Sequence, residues 1–329
     1  MLDGGPCPIV SGLHGVRFAL PFALDHVNVW LVEEGDGWTV VDSGLADDRT
    51  RERWRELRQG LLADRSVKRI VATHYHPDHM GLAGWLCAET GAELWTSRTE
   101  WLTARLYAQD TSEEWVAAGR QFDRRAGLDD QLIEERAARG NLYRRRVVPP
   151  PPSFHRVRHG DRLRLDGSDW QVIVGRGHAP EMLCLFNVEH NVLIAGDQVL
   201  PKISPNVSVW PSEPEADPLA DFLDSLARFR ELPEDCIVLP SHGLPFRGLR
   251  ERIDQLIAHH HERLALALEA CATPVTLAEV MPRLFDRELD VHQLQFALGE
   301  SLAHLNFLIR QGRLERRLDA DGRLRFCAC

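Results

Sequence analysis

The chain runs to 329 residues, 44% apolar and 27% charged with a formal net charge of −10, which suits a soluble globular protein with a large core and an appendage. No run approaches the ~18 apolar residues of a membrane span, and Met1-Leu2-Asp3-Gly4-Gly5-Pro6 lacks a basic segment ahead of an apolar one, so a cytoplasmic protein without membrane contact is expected. The acidic balance weighs against broad nucleic-acid binding, and seven scattered cysteines, an odd number, read as reduced thiols rather than a disulfide framework.

Opening strands are expected over residues 16–44, where Glu33-Glu34-Gly35-Asp36-Gly37 turns a hairpin between Val29-Trp30-Leu31-Val32 and Trp38-Thr39-Val40-Val41. A helix over about 47–62 follows. The β-branched run Val67-Lys68-Arg69-Ile70-Val71-Ala72 then reads as a short buried strand ending at Thr73. Just past it, Thr73-His74-Tyr75-His76-Pro77-Asp78-His79-Met80-Gly81 packs three imidazoles and a carboxylate into six consecutive residues. His74 and His76 alternate and point the same way from an extended segment, while Pro77 breaks the regularity and turns Asp78 and His79 toward a second point. One peptide can therefore serve two metals. Neutral imidazole and carboxylate suit zinc, iron or manganese, and the absence of neighbouring cysteine argues against a closed thiolate site.

A helix near 81–90 comes next, and residues 98–147 carry helical composition with few strand formers, so they read as an inserted helical subdomain. Trp101, Trp115 and Phe122, spaced by fourteen and seven, stay near one helical face. They pack the insertion in place; the sharper alternative is that Trp101, Tyr107 and Trp115 form an apolar wall against the substrate. The prolines at 149–152 make a stiff return to the sheet.

Three later apolar runs each end on a candidate ligand: 172–177 leads to His178, 192–196 to Asp197 and 236–241 to His242. Strand-end loops on a rigid sheet are where catalytic groups are expected. The proline-rich loop over 200–211 offers Lys202, Ser204 and Asn206 as donors to a carboxylate or oxyanion, Asn206 foremost. His259-His260-His261 reads as a polar helix face rather than a further metal site. Beyond 271 a helix opens at Thr276-Leu277-Ala278-Glu279, an amphipathic one spans 297–311, and strand, turn and strand close the chain, an order that resembles a winged helix. Eight arginines meet eight carboxylates over 271–329, which suits a packing or oligomerisation module better than a DNA reader.

Taken in order, H-x-H-x-D-H at 74–79, Gly177-His178, Gly196-Asp197 and Ser241-His242-Gly243, preceded by Val40-Val41-Asp42-Ser43-Gly44, resemble the metallo-β-lactamase superfamily over about residues 16–265. The resemblance implies an α/β fold, an αββα sandwich of two mixed sheets with the site at one edge. The catalytic domain would span 1–265, with the helical insertion at about 98–147, and a small winged-helix-like domain, also known in one branch of the superfamily, would span 266–329. It further implies that His74, His76 and His178 hold one metal, Asp78, His79 and His242 a second, and that Asp197 bridges them. Asp42 would orient a ligand histidine by accepting its other ring N–H. Many members carry G-H-[ST]-P-G-H at the third histidine, whereas Gly177-His178-Ala179-Pro180-Glu181-Met182 keeps the ligand and loses its neighbours; Glu181 is expected as a surface charge.

The chemistry so implied is metal-assisted hydrolysis by a hydroxide bridging two divalent ions, zinc first and iron or manganese with the same donors. Asp78 and Asp197 are the catalytic carboxylates, and no Ser or Cys nucleophile is required. The expected substrate is a small molecule with an ester-like carbonyl, a thioester such as an acyl-CoA or a lactone. A phosphodiesterase or ribonuclease is the second reading, and a non-catalytic regulator built on the metal fold the third. A homo-oligomer is compatible with all of them.

Overall fold

The computed structural model describes residues 5–165, 167–286 and 288–329. Residues 1–4, read above for a leader, and Arg287, counted in the charge balance, lie outside them. The chain divides into two compact units, one made of Met1–Asp110, Leu142–Pro205 and Arg228–Arg252, the other of Thr111–Asn141, Asn206–Ala227 and Ile253–Cys329. The insertion expected at 98–147 is thus shared, its middle helices belonging to the second unit. Among the described residues no helix is long and apolar enough to cross a membrane.

In the first unit, strands Cys7–Val10 (β1), Leu13–Ala19 (β2), His26–Glu34 (β3), Gly37–Val41 (β4), Ser66–Val71 (β5), Glu93–Thr96 (β6) and His155–Arg156 (β7) form one sheet in chain order. β1 to β4 pair antiparallel and β4 to β7 parallel, so the sheet is mixed. The second sheet runs β12-β11-β10-β9-β8, from Arg162–Leu165 (β8), Ser168–Gly175 (β9), Met182–Asn187 (β10), Val192–Gly196 (β11) and Ile237–Pro240 (β12). Strands β4, β10 and β11 are buried at every residue, as expected of central strands covered on both faces.

One apolar cluster joins the sheets: Leu13, Trp30, Val41 and Val71 from the first meet Trp170, Val172, Leu185, Ile194 and Leu239 from the second. A second cluster covers the first sheet's other face with Trp54, Leu86 and Ala104, carried by helices Asp48–Gln59 (α1), Ala83–Thr90 (α3) and Arg98–Gln109 (α4). This is the αββα sandwich the sequence implied. Each fully buried Leu or Ile, such as Leu31 or Ile70 at 0% exposure, contributes roughly 1.5–3 kcal/mol to that frame. Residues 77–80, expected as irregular loop, instead form one helical turn, Pro77–Met80 (α2), with Pro77 at its first position, where a missing N–H leaves no helical bond unmade.

In the second unit the insertion folds as Glu113–Ala126 (α5) and Asp130–Ala138 (α6), N-capped by Ser112 and Asp129 and joined by Arg136 to Asp123 at 2.7 and 3.1 Å. Because α4 ends at Gln109 and α5 starts at Glu113, helical periodicity does not carry from Trp101 to Trp115; only Trp115 and Phe122 share a helix. Helices Pro218–Phe229 (α7), as far as Ala227, and Leu249–Ala270 (α8), from Ile253, follow, then Leu277–Leu284 (α9), opened by a Thr276–Glu279 capping box, and Val291–Arg310 (α10). Strands Leu314–Leu318 (β13) and Leu324–Ala328 (β14) pair antiparallel, and Val275 bridges Phe326. Helices then a hairpin is the order expected. The histidine triplet on α8 departs from the expected polar face: His260 is fully buried.

Candidate metal centre

Five loops leave the C-terminal ends of β4, β5, β9, β11 and β12, and each carries one or more of the expected site residues. The turn after β4 locks the loop after β5. Ser43 N–H and its hydroxyl donate to the His79 carbonyl at 2.8 and 2.6 Å, and Leu82 N–H donates to the Gly44 carbonyl at 3.1 Å. The approach is close enough that a Cβ on Gly81 would lie 2.1 Å from the Pro77 carbonyl oxygen and 2.4 Å from that of Gly44. Asp42 takes a left-handed φ of 68°, a strained conformation for a non-glycine residue that its bonds must hold. Its Oδ1 accepts the Thr73 N–H at 2.8 Å, and its Oδ2 lies 2.8 Å from His79 Nδ1.

Those partners fix the imidazoles. A carboxylate only accepts, so His79 carries its proton on Nδ1 and turns the Nε2 lone pair inward. His242 does the same, donating Nδ1–H to the His26 carbonyl at 2.7 Å. The two lone pairs then face carboxylate oxygens: His79 Nε2 lies 3.5 Å from Asp78 and 3.6 Å from Asp197, and His242 Nε2 lies 3.5 and 3.4 Å from the same residues. His79 Nε2 and Asp197 Oδ1 are buried with no hydrogen-bond partner. Acceptors converging on acceptors need a cation between them.

The other expected ligands converge likewise. His74 Nε2 lies 3.0 Å from His76 Nδ1 and 3.3 Å from His178 Nε2, and Asp197 Oδ2 is 3.3 Å from His178 Nε2. Donor atoms held 2.0–2.1 Å from a tetrahedral ion lie roughly 3.3 Å from one another, so the spacing fits a metal. His74, His76 and His178 form one potential ligand group, Asp78, His79 and His242 another, and His74, His79 and Asp197 a third that links them. The electrostatics divide the cluster: His74 and His76 favour the neutral form, whereas the carboxylates draw positive charge, from a proton or a cation, to His79. Burial holds His74 and His76 well below the ordinary imidazole range, with neighbouring histidines adding to it. At His79 burial also works downward, but Asp78, Asp197 and Asp42 outweigh it and raise the pKa well above 6.5. Asp197, despite burial, is held well below the ordinary carboxylate range by His242 and His79.

Several residues behind the ligands were missed in the sequence. The His26 ring accepts the Gly243 N–H at 2.9 Å beside its carbonyl's bond to His242. Glu100, fully buried, accepts the Tyr75 N–H at 2.8 Å and the Glu181 N–H at 2.6 Å, tying the loop of His74 and His76 to the loop of His178. Burial raises its pKa to about 7 against those two backbone bonds. The Ser97-x-x-Glu100 spacing was visible and looks like a helix cap; Ser97 does cap α4, while the Glu100 carboxylate turns to the loops. Tyr75, Tyr107 and Tyr143, all the tyrosines of the chain, cluster with ring centres 5.7 to 6.0 Å apart.

The residues expected to meet substrate fall in both units. Trp101 donates from Nε1 to the Pro151 carbonyl at 3.0 Å and stacks on Phe154 at 4.6 Å, a packing role against the proline segment. Trp115 stands at the start of α5 in the second unit. Lys202 is exposed in the first unit, and Asn206, in the second, donates to Glu300 at 2.9 Å and accepts from Ser208 at 2.6 Å. Those bonds occupy the amide expected to meet an oxyanion. Glu181 accepts from the Thr99 N–H and hydroxyl at 3.1 and 2.7 Å, at the N-terminus of α4, where a negative charge is favoured.

Two mixed sheets with imidazole and carboxylate clusters past their strand ends define a metallohydrolase. The chain matches the family model of the metallo-beta-lactamase superfamily over residues 23–242 and that of the metallo-beta-lactamase-like C-terminal domain over 264–329, and it belongs to this superfamily as a metal-dependent hydrolase. A beta-lactamase domain protein from Burkholderia ambifaria, known from its crystal structure, is 40% identical, with a TM-score of 0.92 over 98% of this chain and 94% of that one. Probable metallo-hydrolase YqjP of Bacillus subtilis is 26% identical over 89% of this chain and 91% of its own length. Acyl-coenzyme A thioesterase MBLAC2 of Gallus gallus is 24% identical over 80% and 90%.

Proposed function

We propose that the chain is a dinuclear zinc hydrolase of ester-like carbonyls, with a thioester such as an acyl-CoA as first substrate class and a lactone as second. The observation that carries the reading is the position of Asp197, whose Oδ2 is 3.3 Å from His178 and 3.4 Å from His242, between two groups of imidazole donors. His74, His76 and His178 would hold one ion, Asp78, His79 and His242 the other, and Asp197 both. When bound, such ions supply Lewis acidity and bring the pKa of a water between them toward neutrality.

The chain's own residues do the rest. Asp42 and the His26 carbonyl keep His79 and His242 in the tautomer that offers Nε2 inward. Asp78, with 19% of its side chain exposed against 8% for Asp197, is the carboxylate open to an arriving water and accepts its proton. The thioester preference is supported by the likeness to a named acyl-CoA thioesterase over most of both chains.

The test is metal content by elemental analysis of protein purified without added metal, assayed on a thioester, a lactone and a bis-aryl phosphodiester, with His76→Ala as control. About two zinc ions per chain and carbonyl turnover lost in the control are expected. Phosphodiester turnover alone would replace the reading with a phosphodiesterase, and absence of turnover with fully loaded metal would favour a binding scaffold.

A further inference from the structure

We propose that His259, His260 and Glu300 form a separate divalent-cation site inside the second unit, binding one ion through two imidazoles and one carboxylate. It does not rest on the hydrolase reading. His259 and His260 stand on α8 and Glu300 on α10, and one donor atom from each lies within 4.8 Å of the others.

The argument follows the hydrogen bonds behind His260. His304 Nδ1 lies 2.8 Å from the Glu300 carbonyl one helical turn back, which can only accept, so the proton is on Nδ1 and the lone pair on Nε2. That Nε2 lies 3.2 Å from His260 Nδ1, which must donate, leaving the His260 lone pair on Nε2. His260 is fully buried, and its Nε2 has no hydrogen-bond partner. A buried lone pair without a donor, in a residue whose other ring nitrogen is anchored, is the arrangement of a metal-ligating histidine.

The surroundings match. Glu300, 7% exposed, supplies the carboxylate, and its Oε2 accepts from the Asn206 amide at 2.9 Å, which holds it in place. Two imidazoles and a carboxylate suit zinc, with solvent as a fourth ligand. The ion would cross-link α8 to α10.

The experiment counts zinc rather than turnover, so it stands apart from the hydrolase test. Full-length protein is loaded with excess Zn2+, desalted and analysed for zinc per chain, with folding checked by circular dichroism. His259→Ala and Glu300→Gln should each lose one zinc equivalent relative to the parent chain. In a His76→Ala/His242→Ala background, one equivalent should remain and vanish when Glu300→Gln is added. If Glu300→Gln does not fold, His259→Ala, at a half-buried position, decides by itself. A folded His259→Ala with the same zinc content and the same zinc affinity as the parent overturns the proposal.

Discussion

In the first unit His74, His79, His178 and His242 sit on loops past strand ends with Asp78 and Asp197 among them, whereas in the second His260 and His304 face each other from two helices with Glu300 alongside. Loops leaving parallel or paired strands can aim several groups at one point, so the first cluster gathers many donors and balances imidazole with carboxylate. A helix fixes its side chains' directions, and His304 reaches the carbonyl of its own preceding turn on one side and the His260 ring on the other. The titration follows the same division. Carboxylates dominate at His79 and His242 and raise them, while burial dominates at His260 and lowers it to about 3. A charge-rich site suits chemistry and a charge-poor one suits a structural ion.

The largest expected effect breaks the first cluster at its centre. Asp197→Asn removes the charge facing His79, His178 and His242 and should lower kcat/KM by about 10³ or more, roughly 4 kcal/mol of barrier. Steady-state kinetics on the best thioester, with circular dichroism to show that the fold survives, measures it. A loss of less than tenfold would remove Asp197 from the centre of the mechanism. Asp42→Asn should act less strongly. An amide in place of the carboxylate cannot accept from both Thr73 and His79 Nδ1, so metal affinity should fall by about 10- to 100-fold. Competition with a chromogenic chelator reads this, and unchanged affinity would reduce Asp42 to a turn residue.

The same contrast explains what was legible. His74, His76, Asp78 and His79 are contiguous, and His178, Asp197 and His242 each follow an apolar run, so strand ends and ligands could be read together, and with them both sheets. His260, Glu300 and His304 are dispersed along two helices, and a buried helix histidine is spelled like an exposed one. The helical turn at 77–80 and the break between α4 and α5 depend on helix-start signals, Pro77 at the first helical position and Ser112 as N-cap, which local spacing alone did not separate from loop and continuous helix. Asn206 looked like a free loop donor because its partner Glu300 lies 94 residues on.

Glu100 lies between these extremes, a helix residue that serves the loops, and it carries the smallest of the expected effects. Both its oxygens accept backbone N–H groups, one beside His74 and His76 and one three residues past His178. Glu100→Gln presents an amide N–H₂ to one of those donors, loosens one loop, and should lower turnover by about tenfold or less. The pH dependence separates this role from generic packing. Folding raises the Glu100 pKa from the ordinary 4.5 to about 7, so the folded chain holds a proton that the unfolded chain has released. Its contribution is fully present below about 4.5 and is lost as pH rises through 7. The Tm of the parent relative to Glu100→Gln should therefore fall by a few degrees between pH 5 and 8. A difference that stays flat across that window would mean that Glu100 is ionised throughout, and the carboxylate would then tie the two loops as an anion.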